Sequence, residues 1–197
     1  FIDNSSQDKT VTILREIAKS DKNVKVIINT RNFGQIRSAT YGYFQASGDA
    51  IIHIVADFQD PPEMIRDFIY KWEKGYKVVI GVKKKSEDSF IISLIRSFYY
   101  YLVNRLSDTE LIKHFTGFGL YDKEVIDIIR ELDDPYPYFR GLISELGFET
   151  AKIKYNQPRR KKGYSKHNFY SLYDMAILGI TSHSKVPLRL ATFSGFI

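Results

Sequence analysis

The sequence predicts an α/β protein with a mostly parallel sheet flanked by helices. Short runs of β-branched and other apolar residues are typical of strands buried on both faces, and they occur at 24–29, 50–55 and 76–82. Segments with helical spacing or helix-ending signals precede the first run, at 11–20, and separate the others, at 34–47 and 60–75. Strands that alternate with helices in this way form parallel sheets with helices on both faces.

The first elements each have a local reason. The opening residues "FI" are read as the end of a strand, and the helix over 11–20 places Ile13, Leu14 and Ile17 on one face. Gly48 closes the helix that follows, because glycine readily adopts the backbone conformation that ends a helix.

The helix over 60–75 carries the clearest boundary signals. Asp60 can cap its N-terminus, Pro61 suits the first helical position and Glu63 completes a capping box. Gly75 ends the helix. Because the capping box already accounts for Asp60, we expect a structural role for this residue.

The pattern is looser after residue 83. A long and mostly apolar helix is predicted at about 90–106, followed by a short strand at 118–122 and a second helix that ends at about 132. An edge strand at 151–157 and a last helix at 169–184 complete the prediction. The long helix is either a core helix or a helix at a membrane surface, and its apolar pattern does not separate the two.

Composition limits the classes of function. The 197 residues suit one domain, and 44% hydrophobic and 15% aromatic residues exclude a disordered chain. The lack of cysteine excludes disulfides and thiolate metal sites. A net charge of +6 and a pI near 9.3 indicate an anionic partner, either nucleic acid, a phosphorylated ligand or an anionic membrane. No run reaches the ~18 apolar residues needed to span a bilayer.

Asp57 is the main candidate for chemistry. It follows the strand over 50–55 directly, and ligands of open α/β sheets bind at the carboxyl ends of strands. Mg²⁺ prefers oxygen ligands and usually takes one or two carboxylates together with substrate phosphates. Asp57, with Gln59 or Asp60 nearby, therefore predicts a divalent-cation site, whereas His53 in the preceding strand is read as a satisfied core histidine.

Other candidates are weaker by themselves. Asp3 can accept hydrogen bonds from a base or ribose, although an acid before a serine-rich turn is also ordinary helix-entry chemistry. Arg31 can hold a diphosphate or brace the acids. The basic loop at 159–166, with Arg160 and Lys166, is either a phosphate clamp or a solvated run of charge that contacts anionic lipid.

Six segments together resemble one family. They are "FIDNSSQD", "TRNFGQ", "ASGDAIIHIVADFQDPPE", "GFGLYDKEV", "FRGLISELGF" and "RRKKGYSK", in the order seen in family 2 glycosyltransferases. The nearest subgroup is the polyprenyl-phosphate glycosyltransferases, such as dolichol-phosphate mannose synthase and the bactoprenol glucosyltransferases. The resemblance covers nearly the whole chain. It implies a GT-A (Rossmann-like) fold, a UDP- or GDP-sugar donor, Mg²⁺ or Mn²⁺, a polyprenyl phosphate acceptor and attachment to a membrane.

The resemblance assigns roles on the donor side. Asp3 resembles the acid that contacts the nucleotide base, with Asn4 in place of its usual acidic neighbour, and Arg31 resembles the arginine after the second strand. Asp57 resembles the metal-binding acid of an Asp-x-Asp motif, whose first acid is Val55 here. One expected contact to the ribose or the metal is therefore missing.

The remaining assignments concern the metal and the acceptor side of the site. Gln59 matches the amide that follows the metal-binding acid, and the acceptor-phosphate loop is matched by Arg160, Ser165 and Lys166.

Gly117 stands where many family members have an aspartate, which is a candidate base. A lipid phosphate, with a second pKa near about 6, needs little deprotonation, whereas a sugar hydroxyl needs a base. Glu145 is the nearby substitute, and it is equally readable as an exposed helix residue.

The implied function is inverting transfer of a sugar to a polyprenyl phosphate, for synthesis of a cell-envelope glycan. Residues 1–185 are expected to be a catalytic domain without its first βα unit, and 186–197 the approach to a membrane helix. The enzyme is then expected at the cytoplasmic face of the membrane, anchored by C-terminal helices absent from this chain. The alternatives are transfer to a saccharide hydroxyl and, more remotely, non-enzymatic nucleic-acid binding. The main expectation, transfer to a polyprenyl phosphate, involves no nucleic acid.

Overall fold

A computed structural model of the chain describes residues 1–84, 94, 105, 112, 114–158 and 169–195. The chain divides into two compact units, one formed by Phe1–Gly48 with Ile126–Pro137 and the other by Asp49–Val125 with Tyr138–Ile197. Helices and strands alternate along both, which confirms the predicted α/β class.

The first unit is built around a pair of short parallel strands. β1 (Ile2–Asp3) pairs with β2 (Ile27–Ile28), and the helices α1 (Thr10–Ser20) and α2 (Gly34–Gln45) follow them in turn. α1 agrees with its predicted bounds, whereas α2 ends at Gln45 with Ala46 as its C-cap, so Gly48 does not close it as predicted. The strand predicted over 24–29 is only two residues long.

The apolar face of α1 is largely exposed to solvent. Its apolar residues have the predicted spacing, yet Ile13 and Ile17 are 52% and 39% exposed. None of its residues, all of which the structure describes, is buried. The periodicity therefore predicted the helix correctly and does not correspond to a buried face.

The second unit contains a four-stranded mixed sheet. Its strands are β3 (Ala50–His53), β4 (Val78–Lys83), β5 (Phe115–Asp122) and β6 (Thr150–Tyr155), in the order β3-β5-β4-β6. β4 and β6 are parallel, whereas β5 runs antiparallel to both β3 and β4.

The strand directions in this sheet are mostly parallel, as predicted, because β3, β4 and β6 share one direction. Two of the three ladders within the described residues are nevertheless antiparallel, since β5 separates β3 from β4. The apolar residues of β5 predicted a strand at 118–122, but such a pattern carries no information about strand direction.

The core of the second unit lies between this sheet and α3 (Ile65–Glu73). Phe68 of α3 is fully buried and meets Phe118 of β5 edge to face, with ring centroids 4.9 Å apart. Phe118 in turn meets Tyr155 at the end of β6, at 5.5 Å. Each such buried aromatic contributes roughly 1.5–3 kcal/mol of stability, so this row of rings fixes the positions of β5 and β6.

The entry into α3 differs from the predicted capping box. A 3₁₀ turn, Pro62–Met64, leads into the helix, and Pro61 precedes it with an extended backbone and no side-chain cap hydrogen bond. Asp60 is therefore not the N-cap. The end of the helix is as predicted, because Gly75 follows it with a φ of +98°.

The other described elements are helices. They are α4 (Lys123–Glu131), α5 (Phe139–Glu145), α6 (Phe169–His183) and α7 (Val186–Gly195). α5 agrees with the alternative reading of Glu145 as a helix residue, although its bounds were not predicted, and α7 occupies most of the segment predicted to approach a membrane. Among the described residues, no helix has both the length and the apolarity that crossing a membrane requires. The helix predicted over 90–106 lies largely outside the described residues.

Candidate active site

The turn after β3 carries the principal candidate residue. Asp57 is half-buried, and its Oδ1 accepts a hydrogen bond from the backbone N–H of Gln59 at 3.0 Å. A side chain that bonds the backbone two residues later is a common way to stabilise a tight turn. The structure therefore places Asp57 beyond the carboxyl end of a strand, as predicted, although β3 ends at His53 and not at residue 55.

Phe58, at the tip of this turn, has an unusual backbone conformation. Its φ is +60°, and its side chain is 64% exposed. Positive φ is unfavourable for a bulky residue, costs about 1–3 kcal/mol and persists only where the surrounding structure enforces it. The interactions on either side of Phe58 must therefore hold the turn in this shape.

Asp60 supplies one of those interactions. It is only 4% exposed, its Oδ2 accepts the backbone N–H of Val55 at 3.2 Å, and its Oδ1 accepts the hydroxyl of Tyr155, also at 3.2 Å. Burial raises the pKa of Asp60, although these two hydrogen bonds oppose the shift. The predicted capping role is thus replaced by an inward-facing carboxylate that links the turn to β6.

Tyr155 is a buried hydrogen-bond donor to this carboxylate. It is 6% exposed at the last position of β6. Burial and then the charge of Asp60 raise the pKa of Tyr155 well above its ordinary value, so the hydroxyl keeps its proton and remains a donor.

His53, the last residue of β3, confirms its prediction as a satisfied core histidine. Its Nδ1 lies 3.2 Å from the carbonyl oxygen of Gly117, and Tyr121 donates its hydroxyl to the same oxygen at 2.7 Å. Burial lowers the pKa of His53, so at neutral pH the ring is uncharged and its Nδ1–H donates to this carbonyl.

Gly117 explains the missing acid on β5. Its φ is +99°, a conformation that side chains rarely adopt, and it lies where the pairing of β4 with β5 shifts register between Ile80 and Val82. A Cβ at this position would meet only the Nδ1 of His53, at an ordinary 3.7 Å. An aspartate here would therefore be opposed by backbone strain and not by lack of space.

The protein oxygen atoms near Asp57 suit a cation that takes most of its ligands from a bound phosphate group. The described residues contain no group of three His, Cys, Asp or Glu side chains that can surround an ion. Asp57 and Gln59 offer a carboxylate and an amide oxygen, which are the atoms that a hard cation prefers. Such a pair suits Mg²⁺ or Mn²⁺ when phosphate oxygens complete the shell.

Asp3, in the first unit, is a buried carboxylate, 4% exposed. Its Oδ2 accepts the backbone N–H of Ser6 at 2.9 Å, across a turn in which Ser5 has a φ of +66°. The position agrees with the prediction of an acid at a strand end. The turn is not the N-terminal cap of the next helix, because α1 begins only at Thr10, with Lys9 as its N-cap.

Asn4 organises the loop that follows β2. Its Nδ2 donates to Asn32 Oδ1 at 2.7 Å and to the Gly34 carbonyl at 3.2 Å. Its Oδ1 accepts the Phe33 N–H at 2.9 Å and the Asn29 amide at 3.1 Å. An amide both donates and accepts, so this network accounts for asparagine where the resemblance expects an acid.

Arg31 lies in the loop that Asn4 holds. The side chain is exposed, and its guanidinium lies 4.2 Å from the centre of the Phe33 ring. A cation–π contact at an exposed site contributes about 0.5–1 kcal/mol, which favours one orientation and leaves the guanidinium accessible to an anion.

The predicted site residues divide among three groups. Asp57 and Gln59 share one turn of the second unit, whereas Asp3 and Arg31 belong to the first unit. Glu145 is the exposed last residue of α5, so its role as a base stays a prediction. The acceptor-loop residues Arg160, Ser165 and Lys166 lie outside the described residues.

Sequence reasoning missed the parts played by Asp60, Tyr155 and Asn4. Asp60 and Tyr155 are 95 residues apart, and no local pattern connects them. A signal did exist for Asn4, since an amide between "FID" and a serine-rich turn can bond in both directions.

The chain belongs to glycosyl transferase family 2. The model of that family matches residues 1–129, which include β1 to β5 and the turn that carries Asp57. The family expected from the sequence motifs is thereby confirmed, together with a fold class consistent with GT-A.

Several relatives match almost the whole chain. It is 35% identical over 100% of its length to "Uncharacterized glycosyltransferase YkcC" of Bacillus subtilis (strain 168). It is 35% identical over 99% to "Bactoprenol glucosyl transferase" of Shigella phage SfV, and 33% identical over 100% to "Prophage bactoprenol glucosyl transferase homolog" of Escherichia coli (strain K12). The chain spans 61%, 64% and 65% of the length of these relatives, in that order.

Proposed function

We propose that the protein transfers a sugar, with inversion, from a nucleotide-sugar to a polyprenyl phosphate at a membrane. Membership of glycosyl transferase family 2 supports the reaction class. Relatives named bactoprenol glucosyl transferase, 34–35% identical over 99% of the chain, support a polyprenyl phosphate as the acceptor. We propose the cytoplasmic face as the location, because nucleotide-sugars are the donors.

The observation that carries this proposal is the position of Asp57. Its carboxylate lies in the strained turn that follows β3, three residues before the inward-facing Asp60. In our proposal Asp57 and Gln59 hold Mg²⁺ or Mn²⁺ together with the diphosphate of the donor. A divalent cation bound there supplies positive charge to the departing diphosphate.

Asp3 and Arg31 are proposed to bind the nucleotide-sugar, as the family resemblance implies. Asp3 is a buried acid that can receive hydrogen bonds from the nucleotide base, and Arg31 is an exposed cation suited to the diphosphate. The resemblance assigns both residues to the nucleotide-sugar, and their burial and exposure are compatible with these roles. UDP- and GDP-sugars are both consistent with these contacts.

The acceptor is proposed to be a phosphate because no acid occupies position 117. The φ of +99° at Gly117 disfavours any side chain there, so β5 offers no base at this point. A phosphate monoester is already anionic at neutral pH, with a second pKa near about 6, and needs no base to attack. Arg160, Ser165 and Lys166 are proposed to bind that phosphate.

The proposed reaction is a single displacement. An oxygen of the lipid phosphate attacks the anomeric carbon of the sugar, the bond from that carbon to the nucleoside diphosphate breaks, and the configuration inverts. The cationic side chains of the basic loop hold the acceptor in line with the leaving group. Glu145 is the residue proposed as a base if the acceptor is a hydroxyl.

Product analysis tests this proposal. The purified protein is incubated with UDP- or GDP-sugars, Mn²⁺ and undecaprenyl phosphate, and the lipid extract is examined by mass spectrometry. Undecaprenol, the same lipid with a hydroxyl in place of the phosphate, is the matched control acceptor. We expect a sugar-phosphate lipid and no product with undecaprenol. Sugar on undecaprenol or on an oligosaccharide, with none on the lipid phosphate, contradicts the proposal.

A further inference from the structure

Two hydrogen bonds close the turn that carries Asp57. Asp60 Oδ2 accepts the N–H of Val55 at 3.2 Å, which ties the end of the turn to its beginning, and inside this loop Asp57 Oδ1 accepts the N–H of Gln59 at 3.0 Å. The turn also contains the positive φ of Phe58. Because that conformation is unfavourable by itself, the closure by Asp60 contributes to maintaining the shape around Asp57.

A third hydrogen bond ties the closed turn to the core. Tyr155 donates its hydroxyl to Asp60 Oδ1 at 3.2 Å, and its ring packs against Phe118. The backbone of Tyr155 is fixed by an unbroken parallel ladder between β4 and β6, in which it pairs with Lys83. The turn is therefore attached to a rigid point on another strand.

We propose that Asp60 and Tyr155 are positioning residues, which hold Asp57 and Gln59 where they bind the metal–diphosphate unit. This inference rests on the proposed function. Residues that hold metal ligands in place without touching the metal affect metal affinity. Without them the ligands lose their orientation and must be repositioned each time the metal binds.

A purely structural role for Asp60 is less favourable on physical grounds. Asp60 is only 4% exposed, so its carboxylate has given up most of its contact with water. A buried carboxylate adds little to stability compared with an apolar side chain of similar size. Its geometry, with one oxygen on the turn and the other on β6, gives it a use in orientation instead.

The test removes the hydroxyl of Tyr155 and measures metal binding. Tyr155→Phe deletes the hydroxyl that bonds Asp60 and also contacts the Thr116 side chain. Tyr121→Phe is the matched control, since it deletes a buried hydroxyl bond to the Gly117 carbonyl and makes no change in the turn. Free Mn²⁺ is titrated by electron paramagnetic resonance in the presence of UDP and, in parallel, GDP. Thermal unfolding of each variant is recorded alongside.

We expect Tyr155→Phe to raise the Kd of Mn²⁺ about tenfold, at the lower end of the range for partners of metal ligands. The control should stay within about twofold of the wild type. The metal concentration for half-maximal transfer should rise in parallel, with kcat at saturating Mn²⁺ little changed. In an Asp60→Ala background, Tyr155→Phe should have no further effect on Mn²⁺ binding, because its partner is gone.

Two results overturn the inference: unchanged Mn²⁺ affinity in Tyr155→Phe, or an equal loss of affinity in Tyr121→Phe. The binding titration needs no acceptor lipid, so it decides this inference even if the product analysis contradicts the proposed function.

Discussion

Replacing Gly117 by alanine separates backbone strain from crowding on β5. At a φ of +99° an added Cβ is strained, which costs about 1–2 kcal/mol. The nearest atom, Nδ1 of His53, would lie at 3.7 Å, so contact adds nothing to that cost. Gly75 is the matched control, because its φ is +98° and no atom lies within 4 Å of its Cβ position. The two alanine variants should therefore lose equal stability.

Gly119, two residues along β5, is the contrasting case. Its added Cβ would lie 2.5 Å from the carbonyl oxygen of Val79, a backbone atom in the centre of the sheet. Overpacking of this kind costs typically about 1–3 kcal/mol and occasionally more, and we expect the upper end because a backbone atom must move.

Urea unfolding at pH 7, with linear extrapolation and unchanged m-values, measures all three variants. Gly119→Ala should be the most destabilised, with Gly117→Ala and Gly75→Ala equal within error. A loss at Gly117 as large as that at Gly119, or no loss at all, refutes the explanation given for the missing acid.

Three further predictions concern stability. Phe68→Ala should lower the free energy of unfolding by about 3–5 kcal/mol in urea titrations, because Phe68 is fully buried in the core, and a loss below 1 kcal/mol contradicts that packing. Burial works to raise the pKa of Asp122, but hydrogen bonds, first from Trp72, outweigh it and lower the pKa below the ordinary 3.8. Asp122→Asn should therefore cost about 1–2 kcal/mol at pH 7, and the difference from wild type should shrink as the pH falls below 3.8, whereas a pH-independent difference contradicts the assignment. Asn4→Asp should lose about 1–2 kcal/mol in thermal unfolding, because a carboxylate cannot donate to Asn32, and an unchanged Tm contradicts the network.

The sequence predicted those features whose causes are local. The spacing of apolar residues located α1, and the β-branched run located β3, because periodicity and propensity act over a few neighbouring residues. The position of Asp57 followed from the general location of ligand sites at strand ends. Gly75 marked the end of α3 because a positive φ there favours glycine.

Features set by distant partners could not be read in this way. The motif around Asp60 fits a capping box, and only the fold reveals that its carboxylate faces Tyr155 on β6. The direction of β5 and the exposure of Ile13 likewise depend on tertiary packing, which an apolar pattern does not encode. Asp3 and Arg31 could be assigned only through the family resemblance.

The role of Asp57 is the central claim, and one measurement tests it most directly. Sugar transfer to undecaprenyl phosphate is assayed with Mn²⁺ for the wild type and for Asp57→Ala. Asp21→Ala is the control, since Asp21 makes the same kind of turn bond, to the N–H of Asn23 at 2.9 Å. We predict a loss of at least about a hundredfold in rate for Asp57→Ala and none for Asp21→Ala, because charge on the departing diphosphate then lacks its counter-ion. Undiminished transfer by Asp57→Ala contradicts the account.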